Sequence, residues 1–410
     1  MAQGKNRGVL KELLHLPMSY FLMAAFAAFG LALGIYRLVV GLGPTTNLSD
    51  AYPWGLWILY DVFFIPFSAG AFMISAVTHI YDKEEYHVIA RPVVLAGFLG
   101  YLFVVLVLLM DLGRWHRFYN VLVPWYWNPH SFMFEVSMCV TVYTGILVME
   151  IAPSILERLN WEKPLRFLRI ATVVIAGAGI VLSSLHQSSV GSLFLLMRHK
   201  LHALWWTPQL PLFFFTSAAF SGLSMAIFVA VVSFKAFGKR LKLDLLSDLA
   251  KIVFIMLGLY LALKVTDLAI NGELSLMFSE GWLSFLFAAE MLLGVIAPMF
   301  IFGNREMRQS NSGLFQGSGL VLLGLGLNRV NVALLGLQAP AGADYFPHWI
   351  EMVISLAAIV AGVLIFGLAA RFLPIFQDAE EVEAERSPSD SRSKEKGWSQ
   401  LPQPGTVDTT

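Results

Sequence analysis

The sequence predicts an all-α integral membrane protein of ten transmembrane helices, arranged as two four-helix bundles (helices 2–5 and 6–9) flanked by helices 1 and 10. Three observations predict it. The 410 residues are 57% hydrophobic and only 14% charged, with a mean hydropathy of +0.68, whereas soluble domains carry roughly 25% charged residues. Apolar runs long enough to cross about 30 Å of hydrocarbon recur along nearly the whole chain. Basic residues are shared unequally between the two sides that those runs define.

The runs fall at about 18–40, 54–80, 92–112, 131–152, 165–188, 209–235, 248–270, 281–302, 312–328 and 348–371. A cleaved leader competes for residues 1–34, but that apolar run exceeds a leader core of roughly 7–15 residues. The ninth run, GLFQGSGLVLLGLGL, is Gly-rich and short. An even number of spans puts both termini on one side. That side gathers Lys5, Arg7, Lys11, Lys83, Arg91, Arg158, Lys163, Arg166, Arg169, Lys235, Lys239, Arg240, Lys242, Arg305, Arg308 and Arg371. Only Arg114, Arg117, Arg198, Lys200 and Arg329 fall on the other. Both termini are therefore expected to be cytoplasmic. The expected division is 1–53 (N-terminal segment and helix 1), 54–200 (first bundle), 201–335 (second bundle), 336–377 (helix 10) and 378–410. The last piece is charged and Ser/Pro-rich, as in a disordered tail.

Cys139 is the single cysteine and lies inside an apolar run. No CxxC or CxxCH spacing exists for an iron–sulfur cluster or a covalently attached haem, and no metal site is expected. The net charge is zero, and nothing points to nucleic acid.

Polar groups inside the spans carry the functional argument. SSLHQSSVGSLF (183–194) sets five serines, a glutamine and a histidine where Leu, Ile and Val are expected. At about 1.5 Å per residue, Asp61 lies about 10 Å inside the second span and Glu135 roughly 8 Å inside the fourth. Asp111 and Arg114 end the third span, and Ser183, Ser184, His186 and Gln187 end the fifth. Four consecutive helices thus place costly groups at similar depth near the outer face, so a shared polar pocket is expected. The residue types suit a quinone head group. Its carbonyl oxygens need donors, and two protons follow two electrons. His186 supplies both functions, Glu135 and Asp61 carry protons onward, and Tyr60, Trp57 and Trp54 offer an aromatic wall. The segment RWHRFYNVLVPWYWNPH (114–130) has the aromatic and basic content of an outer interface or of a surface under a docked partner.

Plainer readings stand beside this one. Asp111 and Arg114, at i and i+3, also make an intrahelical ion pair. The serines also serve as helix–helix contacts or bond to their own helix. His116, His130, His186, His199, His202 and His348 group at the outer side and His15, His79 and His87 at the inner side, so no haem b is expected.

Helices 6–9 faintly echo helices 2–5. FFIPFSAGAF (63–72) pairs with FFFTSAAFSGL (213–223), MDLGR (110–114) with TDLAI (266–270), MEIAP (149–153) with GVIAP (294–298), and LHQSSVGSL (185–193) with LNRVNVALL (327–335). An offset of four helices keeps orientation, so a parallel repeat is the expectation. The second copy carries Lys264, Asp267 and Glu290, a candidate proton relay or a structural ion-pair group.

YPWGLWILYD (52–61), HVIARPVVLAG (87–97), MDLGR (110–114), NPHSFMFEVSMCVTVYTG (128–145), EIAPSILERL (150–159), SLHQSSVGSL (184–193), HALWWTPQLPLFFF (202–215) and YFPHW (345–349) together resemble the NrfD-like family of polysulfide reductase membrane subunits. The ten-helix branch in quinone-linked nickel–iron hydrogenase and sulfate-reducer respiratory complexes is the most similar. The resemblance implies a cofactor-free subunit of the bacterial inner membrane that binds menaquinone or a related quinone near the periplasmic face. It implies a docked ferredoxin-like iron–sulfur partner, linked to a hydrogenase, a molybdenum enzyme or a multihaem cytochrome c, and coupling to proton movement. It also assigns Asp61, Asp111, Arg114, Glu135 and His186 to the quinone surroundings, with Ser183 and Gln187 adjoining. A secondary transporter and a passive anchor for a periplasmic enzyme are the other readings.

Overall fold

The computed structural model describes residues 16–81, 83–239, 241–337, 345–373 and 375–376, less the side chain of residue 84. Lys5, Arg7, Lys11 and the 378–410 tail lie outside them. Among the described residues, ten helices are long and apolar enough to cross a membrane: α1 Met18–Val40, α2 Leu56–His79, α3 His87–Asp111, α4 Phe132–Leu159, α5 Glu162–Leu195, α6 Leu210–Ala236, α7 Leu243–Ile270, α8 Trp282–Gly303, α9 Asn311–Leu335 and α10 Trp349–Phe372. The chain is a multi-pass, all-helical membrane protein.

Several helices outrun their hydropathy, and two of them, α5 and α9, matter for the site. Helix α5 reaches Leu195 instead of stopping near 188. Its serines do not end it, because their hydroxyls bond back to carbonyls one turn earlier: Ser184 to Ile180 (2.9 Å), Ser189 to Leu185 (2.9 Å) and Ser192 to Ser188 (3.0 Å). His186 therefore lies about 13 Å from the outer end of α5, deeper than hydropathy suggests. Helix α9 continues past 328 and closes in a π-turn over Asn331–Leu335, which keeps Arg329 inside the protein.

Helices α2 and α6 form the centre. Helix α2 packs on α3, α5 and α6, and α6 packs on α2, α5, α7 and α9. They meet at Gly70 and Gly222, where a side chain on either would strike the backbone of the other. Such close approach is how transmembrane helices gain contact without a hydrophobic driving force. Helix α4 completes contacts with α3 and α5, α8 does so with α7 and α9, and α1 packs on α10 beside α3.

A polar clasp fixes the outer ends of α2 and α10. Glu351 accepts from the Tyr345 hydroxyl (2.8 Å) and from the His348 and Asn47 amides (2.8 and 3.2 Å). The Leu56 amide donates to the Tyr345 hydroxyl at 2.8 Å. Burial, and then the Glu351 carboxylate, pushes the Tyr345 phenol up, so it remains a donor.

Candidate functional site

The polar groups of the first half converge on a buried cluster between α2, α3 and α5. His186 is fully buried, with the Tyr101 hydroxyl 3.4 Å from Nδ1 and the Tyr143 ring packed close by. Its Nε2 has no partner. Trp57 and Asp61 lie one turn apart on the same face of α2, and Trp57 Nε1 and Asp61 Oδ1 are both buried and partnerless. Asp61 interacts electrostatically with Asp111 on α3 and with Tyr101. Glu135, in the first turn of α4, accepts from Ser189 Oγ at 2.5 Å and so joins the His186 segment of α5.

The expected pairing of Asp111 with Arg114 does not occur. Helix α3 ends at Asp111 and the chain turns extended at Leu112, so the i, i+3 helical geometry is lost and Arg114 points into solvent. The cation acting on Asp111 is Arg37 of α1. Arg37 is fully buried, donates from Nη2 to the Leu112 carbonyl at 2.9 Å, and lies 5.7 Å from the Trp57 ring.

Other expected residues spread around this centre. Ser183 and Gln187, one turn apart, face a crevice with Ala69 and Met73 of α2 and Ala218 of α6, and Gln187 Nε2 is partnerless. Tyr60 turns away from His186. It packs on Phe64 and lines an apolar groove of about 470 Å³ between α1, α2, α3, α6 and α10. At the opposite ends of α2 and α3, a cavity of about 430 Å³ is lined by Ser75, His79, His87, Arg91, Glu150 and Glu157. There Ser75 donates to Glu150, and Arg91 pairs with Glu157 at 2.9 Å.

In the second half, Glu290 accepts three hydrogen bonds, from Trp205 Nε1 (2.9 Å), Asn328 Nδ2 (2.8 Å) and Asn331 Nδ2 (2.8 Å). Lys264 sits over Phe213 and interacts electrostatically with Glu290 and Asp267, so these three candidates come together. Asp267 accepts from Thr207 Oγ1 at 2.7 Å.

Sequence reasoning missed Arg37, Tyr101 and Tyr143, and it set Arg329 beyond the end of its helix, where the structure buries it inside. An arginine inside an apolar run was the available signal for Arg37, since such a charge is rarely idle.

A family model described as polysulphide reductase, NrfD, matches residues 44–341. A Nitratidesulfovibrio vulgaris protein is 34% identical over 363 residues, 85% of this chain and 92% of that one. The menaquinone reductase integral membrane subunit of the same organism is 30% identical over 390 residues, 87% and 91% of the two chains. The probable Ni/Fe-hydrogenase 2 b-type cytochrome subunit of Escherichia coli is 30% identical over 346 residues, 83% and 88%.

That last name overturns the expectation of a chain without haem, because a relative aligned along most of its length is named as a b-type cytochrome. The described histidines nonetheless do not fit an axially ligated haem. His186 has Tyr101 and Tyr143 against its ring. His79 and His87 line the inner cavity but meet edge to face at 5.0 Å, not on opposite faces of a plane. His202 lies 3.5 Å from Glu280, and His348 caps α10. Among the described residues, no group of three His, Cys, Asp or Glu side chains is placed to hold a metal ion.

Proposed function

This chain belongs to the polysulphide reductase NrfD family, and from that premise we propose that it is the quinone-interacting membrane subunit of a respiratory redox complex. The observation that carries the reading is the concentration of buried, partnerless polar atoms in the first half: Trp57 Nε1, Asp61 Oδ1, Asp111 Oδ1, His186 Nε2 and Gln187 Nε2. Each unmade hydrogen bond costs about 1–3 kcal/mol. A quinone carbonyl offers the acceptor that these donors lack, and a quinol hydroxyl the donor.

In this reading His186 Nε2 faces a quinone oxygen and gives or takes its proton, while Tyr101 steadies the ring from the Nδ1 side. Reduction adds two electrons and two protons to the quinone, and oxidation of the quinol releases them. Asp61, and Glu135 through Ser189, exchange protons with the His186 segment, and Arg37 is the cation beside Asp111. The apolar groove beginning at Tyr60 suits the isoprenoid tail. Electrons pass to or from a partner on the outer face, where loop 114–130 exposes Trp125, Tyr126 and Trp127 beside Arg114 and Arg117. An iron–sulfur subunit, itself linked to a hydrogenase, molybdenum enzyme or multihaem cytochrome c, is the partner proposed. The relatives named for hydrogenase and menaquinone reductase support that choice. The membrane proposed is the bacterial inner membrane, with cytoplasmic termini and the cluster toward the periplasm.

A proton route from the inner side has a start in the Ser75, His79, His87 and Glu150 cavity. Tyr143 stands seven residues, about 10 Å, along α4 from Glu150 and adjoins Ser68, Ser183 and His186. The deciding experiment is quinone-linked electron transfer in the purified complex, native against His186→Ala, with assembly and cofactor content measured in both. A loss of about 10²-fold or more in an intact complex is expected. Unchanged turnover would make the cluster a packing device.

A further inference from the structure

The two halves are joined by one buried cation that neither the spans nor the cluster accounts for. Arg329 of α9 is almost fully buried, and each of its guanidinium nitrogens donates. Nη1 reaches Asn328 Oδ1 (2.7 Å), Nη2 reaches Ser217 Oγ on α6 (2.8 Å), and Nε reaches the Val62 carbonyl on α2 (3.2 Å). The group lies flat against Phe214, 3.8 Å from its centroid.

The Val62 contact has a specific cause. Inside a helix that carbonyl would accept from the amide of residue 66, which here is Pro66. Proline has no N–H, so the carbonyl is left without its helical donor inside the span, where no solvent replaces it. Arg329 supplies the missing donor from another helix. Val62 directly follows Asp61, so the cation secures the piece of α2 that presents Asp61 and Trp57 to His186.

We propose that Arg329 is a positioning residue for the quinone site: it bridges the break that Pro66 opens in α2 and thereby sets the geometry of Asp61. The inference rests on the reading of the α2, α3 and α5 cluster as that site. Arg329 also has a second role open to it, as counter-charge to Glu290, with which it interacts directly and through Asn328. The experiment must separate the two.

Pro66→Ala restores an amide within reach of the Val62 carbonyl and makes the bridge redundant. Arg329→Gln is therefore compared in the native, Pro66→Ala and Glu290→Gln backgrounds of the full complex, with Arg329→Lys, which keeps charge but loses the planar fork, as the variant to use if the glutamine form does not assemble. Two readouts are taken: KM and kcat with a water-soluble naphthoquinone, and hydrogen exchange of the α2 amides around Asp61–Phe67. In the native background the substitution is expected to raise KM about tenfold with a smaller change in kcat and to speed exchange, and Pro66→Ala is expected to remove most of both effects. Equal damage in the native and Pro66→Ala backgrounds, or rescue by Glu290→Gln alone, overturns the proposal. Rescue of exchange by Pro66→Ala while no variant, His186→Ala included, changes quinone kinetics supports the bridge and overturns the quinone reading beneath it.

Discussion

The two halves of this molecule bury polar side chains to a similar extent and satisfy them very differently. Around Glu290, both carboxylate oxygens accept from Trp205, Asn328 and Asn331, and the nitrogens of the neighbouring Arg329 are all engaged. Around His186, the groups stand close together yet leave Nε2 of His186, Oδ1 of Asp61 and Nε1 of Trp57 with nothing to bond. Both patterns cost desolvation, but the first recovers most of it within the protein, Asn331 Oδ1 being the atom of that network left over. A largely satisfied network braces a fold. A cluster of close, unsaturated donors and acceptors is complementary to something that is not part of the chain.

The sharpest way to break that comparison is to remove the saturated acid. Glu290→Leu strands three donors and leaves Arg329 and Lys264 short of a counter-charge, so it is expected to destabilise the protein by roughly 3–5 kcal/mol. Thermal unfolding in detergent measures this, and a small change would mean that Glu290 is no brace and leaves room for a relay role. The converse holds at Asp61. Asp61→Asn has few internal bonds to lose, so stability is expected to move by less than about 1 kcal/mol, while quinone turnover falls about 10²-fold. A loss of stability equal to that of Glu290→Leu would erase the distinction between the halves.

A smaller effect sharpens the same contrast. Ser189→Ala removes the hydroxyl that donates to Glu135, which projects from the first turn of α4 and is partly exposed. Loss of one hydrogen bond to a carboxylate is worth about 1.5–3 kcal/mol when buried and less here. A fewfold fall in turnover with normal assembly is expected, read by steady-state kinetics against native complex.

The spans were legible because a membrane imposes one long apolar signal per helix, and all ten were found in place. Glu135, Asp61 and His186 stand out for the opposite reason, since each breaks such a run, although the structure sets them at different depths, Glu135 in the first turn of α4 and His186 well inside α5. What hydropathy could not reveal was where a helix ends when polar residues satisfy their own backbone. The serines of α5 look like a terminus and are not one. Hydropathy ends the ninth span at 328 and leaves Arg329 beyond it, whereas α9 runs on through Val330 into a π-turn over Asn331–Leu335 with Arg329 buried. Tyr101 and Tyr143 were hidden because a tyrosine in an apolar run reads as one more aromatic, and only packing shows it turned toward an imidazole.

Arg114 gives the smallest effect and, set against Arg37, the cleanest choice between neighbours. Spacing alone favours Arg114 as the partner of Asp111, and the chain leaving helix geometry at Leu112 rules it out. Arg114→Ala is accordingly expected to change stability by no more than about 0.5 kcal/mol and to leave quinone kinetics within twofold of native in the assembled complex. Arg37→Met should behave otherwise, because it removes the cation from beside Asp111 and the donor from the Leu112 carbonyl at once. Should Arg114→Ala instead weaken assembly while kinetics per complex stay normal, the residue belongs to the partner surface of loop 114–130, because an exposed arginine acts most readily through whatever covers it.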